Sequence, residues 1–131
     1  MDTARTMEQA PLAERVKGHK EWLVKTGEDI GQAGAKNRDW KSQGRTMLEA
    51  ARHETEPLVL LNLLRYQATR NNNWTKPANL LEKLETAMLA CREKAKEDAA
   101  LAMELIRHVL LYALRAYTFH EERKEKGGGG D

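Results

Sequence analysis

The residues best suited to chemistry are the cations of the chain's middle third, Arg38, Lys41, Arg45, Arg52, Arg65, Arg70 and Lys76. At about 100° per residue, Arg38, Lys41, Arg45 and Arg52 fall within roughly 60° of one another on a helix, with Trp40, Met47 and Ala51 on the far side. A cationic stripe opposite an apolar one can lie along a phosphate backbone while its other face packs a core. The same pattern also describes a solvated outer face, and Glu49 stands at its edge. Beyond it, residues 57–81 contain no Asp or Glu, whereas Arg65, Arg70 and Lys76 accompany Tyr66, Trp74 and the run Asn71, Asn72, Asn73. Cations, amides and aromatic rings without competing carboxylates suit single-stranded nucleic acid, the cations taking phosphates and the rings stacking bases.

Catalytic patterns are sparser. The histidines, His19, His53, His108 and His120, show no paired-ligand spacing, so no metal and no other cofactor is expected. No GxxxxGK[ST], GxGxxG or GxSxG motif occurs, which removes the usual nucleotide and acyl-transfer signatures. Arg115 and His120, in RAYTFH, match the R-x4-H spacing of HEPN-type ribonucleases, which the stretch resembles, although Ala116 stands where that family usually has a polar residue. On one helix the two side chains diverge by roughly 140°, so a shared phosphate would require a dimer-related site. Alternatively, His120 near a helix C-terminus complements the dipole. Cys91 has Arg92 and Lys94 nearby but no legible His or Asn partner, and reads as a small buried apolar residue.

Helices must position these groups. The 131 residues allow one domain, and with 5% aromatic residues and abundant Ala, Leu, Glu, Lys and Arg the chain is a poor candidate for a β-sandwich or barrel. The expected fold is all-α, a compact bundle of about five helices over residues 7–26, 38–54, 57–70, 77–95 and 97–124, with no β-sheet. Residues 27–37, with three glycines, read as the clearest loop, and residues 71–76 as the second. Pro11, Pro57 and Pro77 mark helix starts, with Thr55 and Thr75 as N-caps. The organisation predicted is an N-terminal helix and Gly-rich loop (1–37), a core bundle (38–124) and a disordered Gly-rich tail (125–131). Leu60, Leu61, Leu64, Leu105, Ile106, Val109 and Ala113 form the expected core. Segment 57–70 is apolar nearly all round, which predicts a central helix, and together with the wide apolar face of 97–124 it leaves an excess for a partner or for the N-terminal helix to cover. The net charge of +2 excludes a polybasic tail protein. A single cysteine excludes an internal disulfide, and the start MDTARTMEQAP has no apolar core of the ~7 to 15 residues a secretory signal needs, so the expectation is cytoplasmic, without a membrane partner.

Two stretches bear a family resemblance. LLNLLRYQATRNN (residues 60–72) resembles the central helix of the small helical subunit of type III-A CRISPR (Csm) effector complexes, where an apolar helix ends in an aromatic-x-Ala-x-Arg-like segment. VLLYALRAYTFHEE (residues 109–122) resembles that family's closing helix, through Tyr112, Ala113, Ala116 and Tyr117. The resemblance spans about residues 40–123, and the small subunit of type III-B complexes is similar in composition. It implies a non-catalytic helical subunit that stacks with copies of itself in a ribonucleoprotein, beside other subunits of the effector complex. Such a subunit lies along the guide RNA and target RNA and contacts phosphates without reading bases. The family's RNA contacts match Arg45 and Arg52, and Arg65 and Arg70. Residues 1–37 have no clear counterpart, and His120 stands where the family often has Lys or Tyr. A ribonuclease built on Arg115 and His120 and a plain helical protein-interaction module are the alternatives.

Overall fold

The computed structural model describes residues 11–36, 40–70 and 79–128. They form α1 (Leu12–Lys17), α2 (Lys20–Gly34), α3 (Trp40–His53), α4 (Pro57–Arg70), α5 (Leu80–Lys94) and α6 (Ala99–Gly128). Among the described residues there is no strand, as the composition predicts. α2, α3 and α5 bury the same pattern of positions. In α2 it is Leu23, Gly27, Ile30, Gly31 and Gly34, in α3 Trp40, Gly44, Met47, Leu48 and Ala51, and in α5 Leu80, Leu84, Ala87, Met88 and Cys91. Each is one apolar stripe at helical period, turned toward a common centre. The centre is α6, whose residues Leu101 to Leu110 are buried nearly all round and which touches every other helix.

The stretch 27–37 corrects the sequence expectation. Gly27 and Gly31 do not end a helix; with Gly34 they lie on the buried face of α2, which continues to Gly34. A Cβ on Gly27 would stand 2.6 Å from Tyr112 Cβ, and one on Gly31 would overlap the Ala113 carbonyl oxygen on α6. The glycines let two helix backbones approach where any side chain would hold them apart, and α2 makes the most extensive contact of any helix with α6. Trp40, fully buried, fills the space beside Gly34 and Gly44 and tilts 55° against Tyr117 at 5.7 Å. The predicted helix 7–26 is in turn broken at Gly18 and His19, so the described residues hold six helices, not five.

α4 matches its predicted bounds, and Leu60, Leu61, Leu64, Leu105, Ile106, Val109 and Ala113 are all buried. Its position is different from the central one expected. α4 packs on α3 and α5 and only lightly on α6, leaving Leu58, Val59 and Tyr66 half exposed. α2, from the N-terminal third of the chain, covers α6 instead, which is one of the two fates expected for its apolar excess. Thr55 does not cap α4: the Glu54 carboxylate accepts from the Thr55 and Glu56 backbone N–H groups at 3.0 and 3.1 Å. The predicted cap Thr75 and the loop 71–76 lie outside the described residues. The break near Lys96 is present without Gly or Pro, through left-handed Lys96 and Glu97 (φ 52° and 68°). α6 runs to Gly128 and takes in the start of the predicted tail, since extending a formed helix requires only one residue per added hydrogen bond.

Two side chains lock the helix ends. Asp98 caps α6, accepting from the Leu101 N–H at 3.2 Å, and its other oxygen takes Arg15 Nη1 of α1 at 2.9 Å. Arg107 on α6 donates to the Ala51 carbonyl at 2.6 Å and the Glu54 carbonyl at 3.3 Å, satisfying acceptors at the C-terminal end of α3. Glu104 holds the same guanidinium at 2.6 Å. α3 is thereby fixed on α6 at its C-terminal end.

Candidate nucleic-acid interface

The buried stripe of α3 determines what its outer face presents. With Trp40, Gly44, Met47 and Ala51 turned inward, Lys41, Arg45 and Arg52 point outward, and all three are exposed. Lys41 and Arg45 line a surface trough of about 790 Å³ with Ser42, Thr46, Glu49, Ala50 and His53, all on α3. Among the described residues neither Lys41 nor Arg45 has an ion-pair partner. Arg52 does: its Nη1 lies 3.2 Å from Glu49 Oε1, while His53 Nε2 lies 2.9 Å from Glu49 Oε2. Hydrogen bonds from His53 and then Arg52 hold the Glu49 carboxyl below the usual carboxylate range. Glu49 therefore stays charged and offsets part of the stripe at its C-terminal end.

The α4 cations are arranged differently. Arg65 turns toward α5, its Nε 2.5 Å from Glu85 Oε2, a partner supplied from outside the acid-free stretch 57–81. Arg70 lies over the Tyr66 ring at 5.7 Å. Arg38 and Lys76 lie outside the described residues. The structure thus brings Lys41, Arg45 and Arg52 onto one helix face and directs Arg65 to a neighbouring helix.

A second concave surface runs between α2 and α6, with a volume of about 700 Å³. Arg115 and His120 both line it, despite their angular separation on the helix, because the trough follows α6 for more than a turn. Tyr112 and Phe119 line it from the same helix, Lys25, Glu28 and Asp29 from α2. Sequence reasoning missed this groove, since it exists only once α2 is known to lie on α6. The signal that predicts the pairing is the spacing of Gly27 and Gly31, at i and i+4, both of which face α6. A third groove, between α2 and α5, is crossed by the ion pair of Lys83 and Asp29 at 2.8 Å, and Lys94 caps the Trp22 ring at 4.6 Å. Burial, and then the Lys94 charge, lower the His19 pKa beside it.

Cys91 is buried, and loss of solvation pushes its thiol up to about 12. It is chemically quiet at neutral pH. Among the described residues no helix is long and apolar enough to cross a membrane. Compared with known proteins, the chain matches no family model, no curated protein and no solved structure.

Proposed function

We propose that this chain is a non-catalytic, RNA-binding structural subunit of a type III CRISPR ribonucleoprotein, gripping the sugar-phosphate backbone of guide and target RNA along the outer face of α3. The observation that supports this reading most directly is the pair Lys41 and Arg45. Both are exposed, lie one turn apart beside the hydroxyls of Ser42 and Thr46, and have no acidic partner among the described residues. Cations and hydroxyls on a rigid helix meet phosphate oxygens at regular intervals and carry no means of distinguishing bases. Arg52 contributes less, because an incoming phosphate must compete with Glu49. Arg70 extends the contact at the end of α4, Arg65 contributes less because Glu85 holds it, and copies of the chain and other subunits of the complex complete the surface.

The test is fluorescence anisotropy with two unrelated single-stranded RNAs over a series of salt concentrations. Replacing Lys41 and Arg45 together by Ala is expected to weaken both RNAs equally and to flatten the slope of log K against log salt by about 0.7 per lost contact. Arg52→Ala has a smaller effect. Unchanged affinity and slope in the double variant would reduce α3 to a solvated face. A ribonuclease is the second reading, favoured by the shared groove of Arg115 and His120. It requires RNA cleavage that His120→Ala abolishes.

A further inference from the structure

The open groove between α2 and α6, about 700 Å³ in volume, combines three chemistries. The first is an aromatic surface. Phe119 is 54% exposed, with the Arg123 guanidinium 5.6 Å from its ring centroid and the His120 ring edge-on at 5.4 Å. Tyr112 lies two turns back along α6 with Arg115 over its ring at 5.9 Å. The second is positive charge, from Arg115 and from Lys25 across the groove. The third is an acceptor, the Glu28 carboxylate on α2. Asp29 also lines the groove, but its carboxylate is held by Lys83 at 2.8 Å.

A phenyl ring left in water beside cations and a carboxylate is complementary to an unpaired nucleotide. The ring stacks a base, the cations take the phosphate, and the carboxylate accepts from N–H groups on the base edge. Guanine alone among the four RNA bases offers a carboxylate two adjacent donors, its N1–H and N2–H₂. We infer that this groove binds one unpaired guanine nucleotide, its base stacked on Phe119 and facing Glu28, its phosphate at Arg115 and Lys25. The ligand class follows from the RNA-binding reading above, but the site is on a different face from Lys41 and Arg45 and recognises a base rather than a backbone.

The experiment is calorimetric titration of the full chain with GMP and with UMP, beside the RNA anisotropy series. GMP is expected to bind at least about fivefold more tightly than UMP, and Phe119→Ala to weaken GMP about tenfold. Phe119 is half exposed, so this variant retains the fold, and Phe119→Tyr restores binding. Glu28→Gln reduces the preference for GMP to the part that the stronger stacking of a purine supplies. The Lys41→Ala, Arg45→Ala double variant binds GMP as the parent does. RNA binding by the parent without measurable GMP binding, or GMP binding indifferent to Phe119→Ala, would overturn the groove and leave the backbone reading standing. GMP binding with the expected variant pattern but no RNA binding would overturn the backbone reading and leave the groove.

Discussion

Gly31 and Gly18 are the same residue type under opposite constraints. At Gly31 an added Cβ would run into the backbone of α6 at Ala113, which cannot move without shifting the central helix. At Gly18, in right-handed helical geometry, it would meet only the Arg15 carbonyl oxygen, at an ordinary 3.6 Å. Gly31→Ala is therefore expected to destabilise by about 1–3 kcal/mol through overpacking. Gly18→Ala is expected to stabilise by about 0.4–1 kcal/mol by restricting the unfolded chain. Thermal unfolding of both variants checks the pair, and equal effects would mean that α2 does not sit against α6 as described. The contrast explains what was legible at this scale. Glycine content alone made residues 27–37 read as a loop, while the spacing that puts Gly27, Gly31 and Gly34 on one helix face, in register with Leu23 and Ile30, carried the correct answer. The stripe of Lys41, Arg45 and Arg52 was legible because a single helix determines it. The partner of Arg65 was not, because Glu85 reaches it only through packing of α4 on α5.

At the scale of elements, the junction before α6 depends on Asp98. Its carboxylate completes the N-terminal turn of the longest helix and ties α1 to it through Arg15. The hydrogen bond from the Leu101 N–H and then that from Arg15 hold its carboxyl below the ordinary aspartate value. A depressed folded pKa means that the ionised group favours the folded state. Its contribution is fully present above the unfolded value, near pH 4, and is lost as pH falls through the lower folded one. Asp98→Ala is expected to lower stability by about 0.5–2 kcal/mol at pH 7. Between pH 4 and pH 2 the variant should lose less stability than the parent, measured by urea unfolding at each pH. A difference between the two that stays constant across that range would mean that the cap does not titrate as the geometry requires. The sequence places this junction between segments 77–95 and 97–124 although neither Gly nor Pro marks it, and Lys96 and Glu97 make the turn in left-handed geometry.

For the whole molecule, the apolar surplus read from residues 57–70 and 97–124 divides in two. The part on α6 is covered from within, by α2. The part on α4 remains: Leu58 and Val59 are each 52% exposed and Tyr66 is 54% exposed, on the helix that continues toward Arg70. In the proposed assembly this face meets the next copy of the chain along the RNA. Such a contact is small beside the roughly 1,200 Å² of a stable interface, so the protein alone should associate weakly. RNA changes the balance, because copies bound side by side experience an effective concentration that can reach the millimolar range. Binding to RNAs long enough for one, two and four copies should therefore be cooperative, with stoichiometry followed by sedimentation. Replacing Leu58 and Val59 by Glu places like charges against the neighbour while leaving the buried side of α4 intact. That variant is expected to bind the shortest RNA about as well as the parent and to lose the cooperativity on the longer ones. Independent binding by the parent at every length, with the protein monomeric at high concentration, would remove stacking through α4 and leave a helical module that grips RNA as single copies.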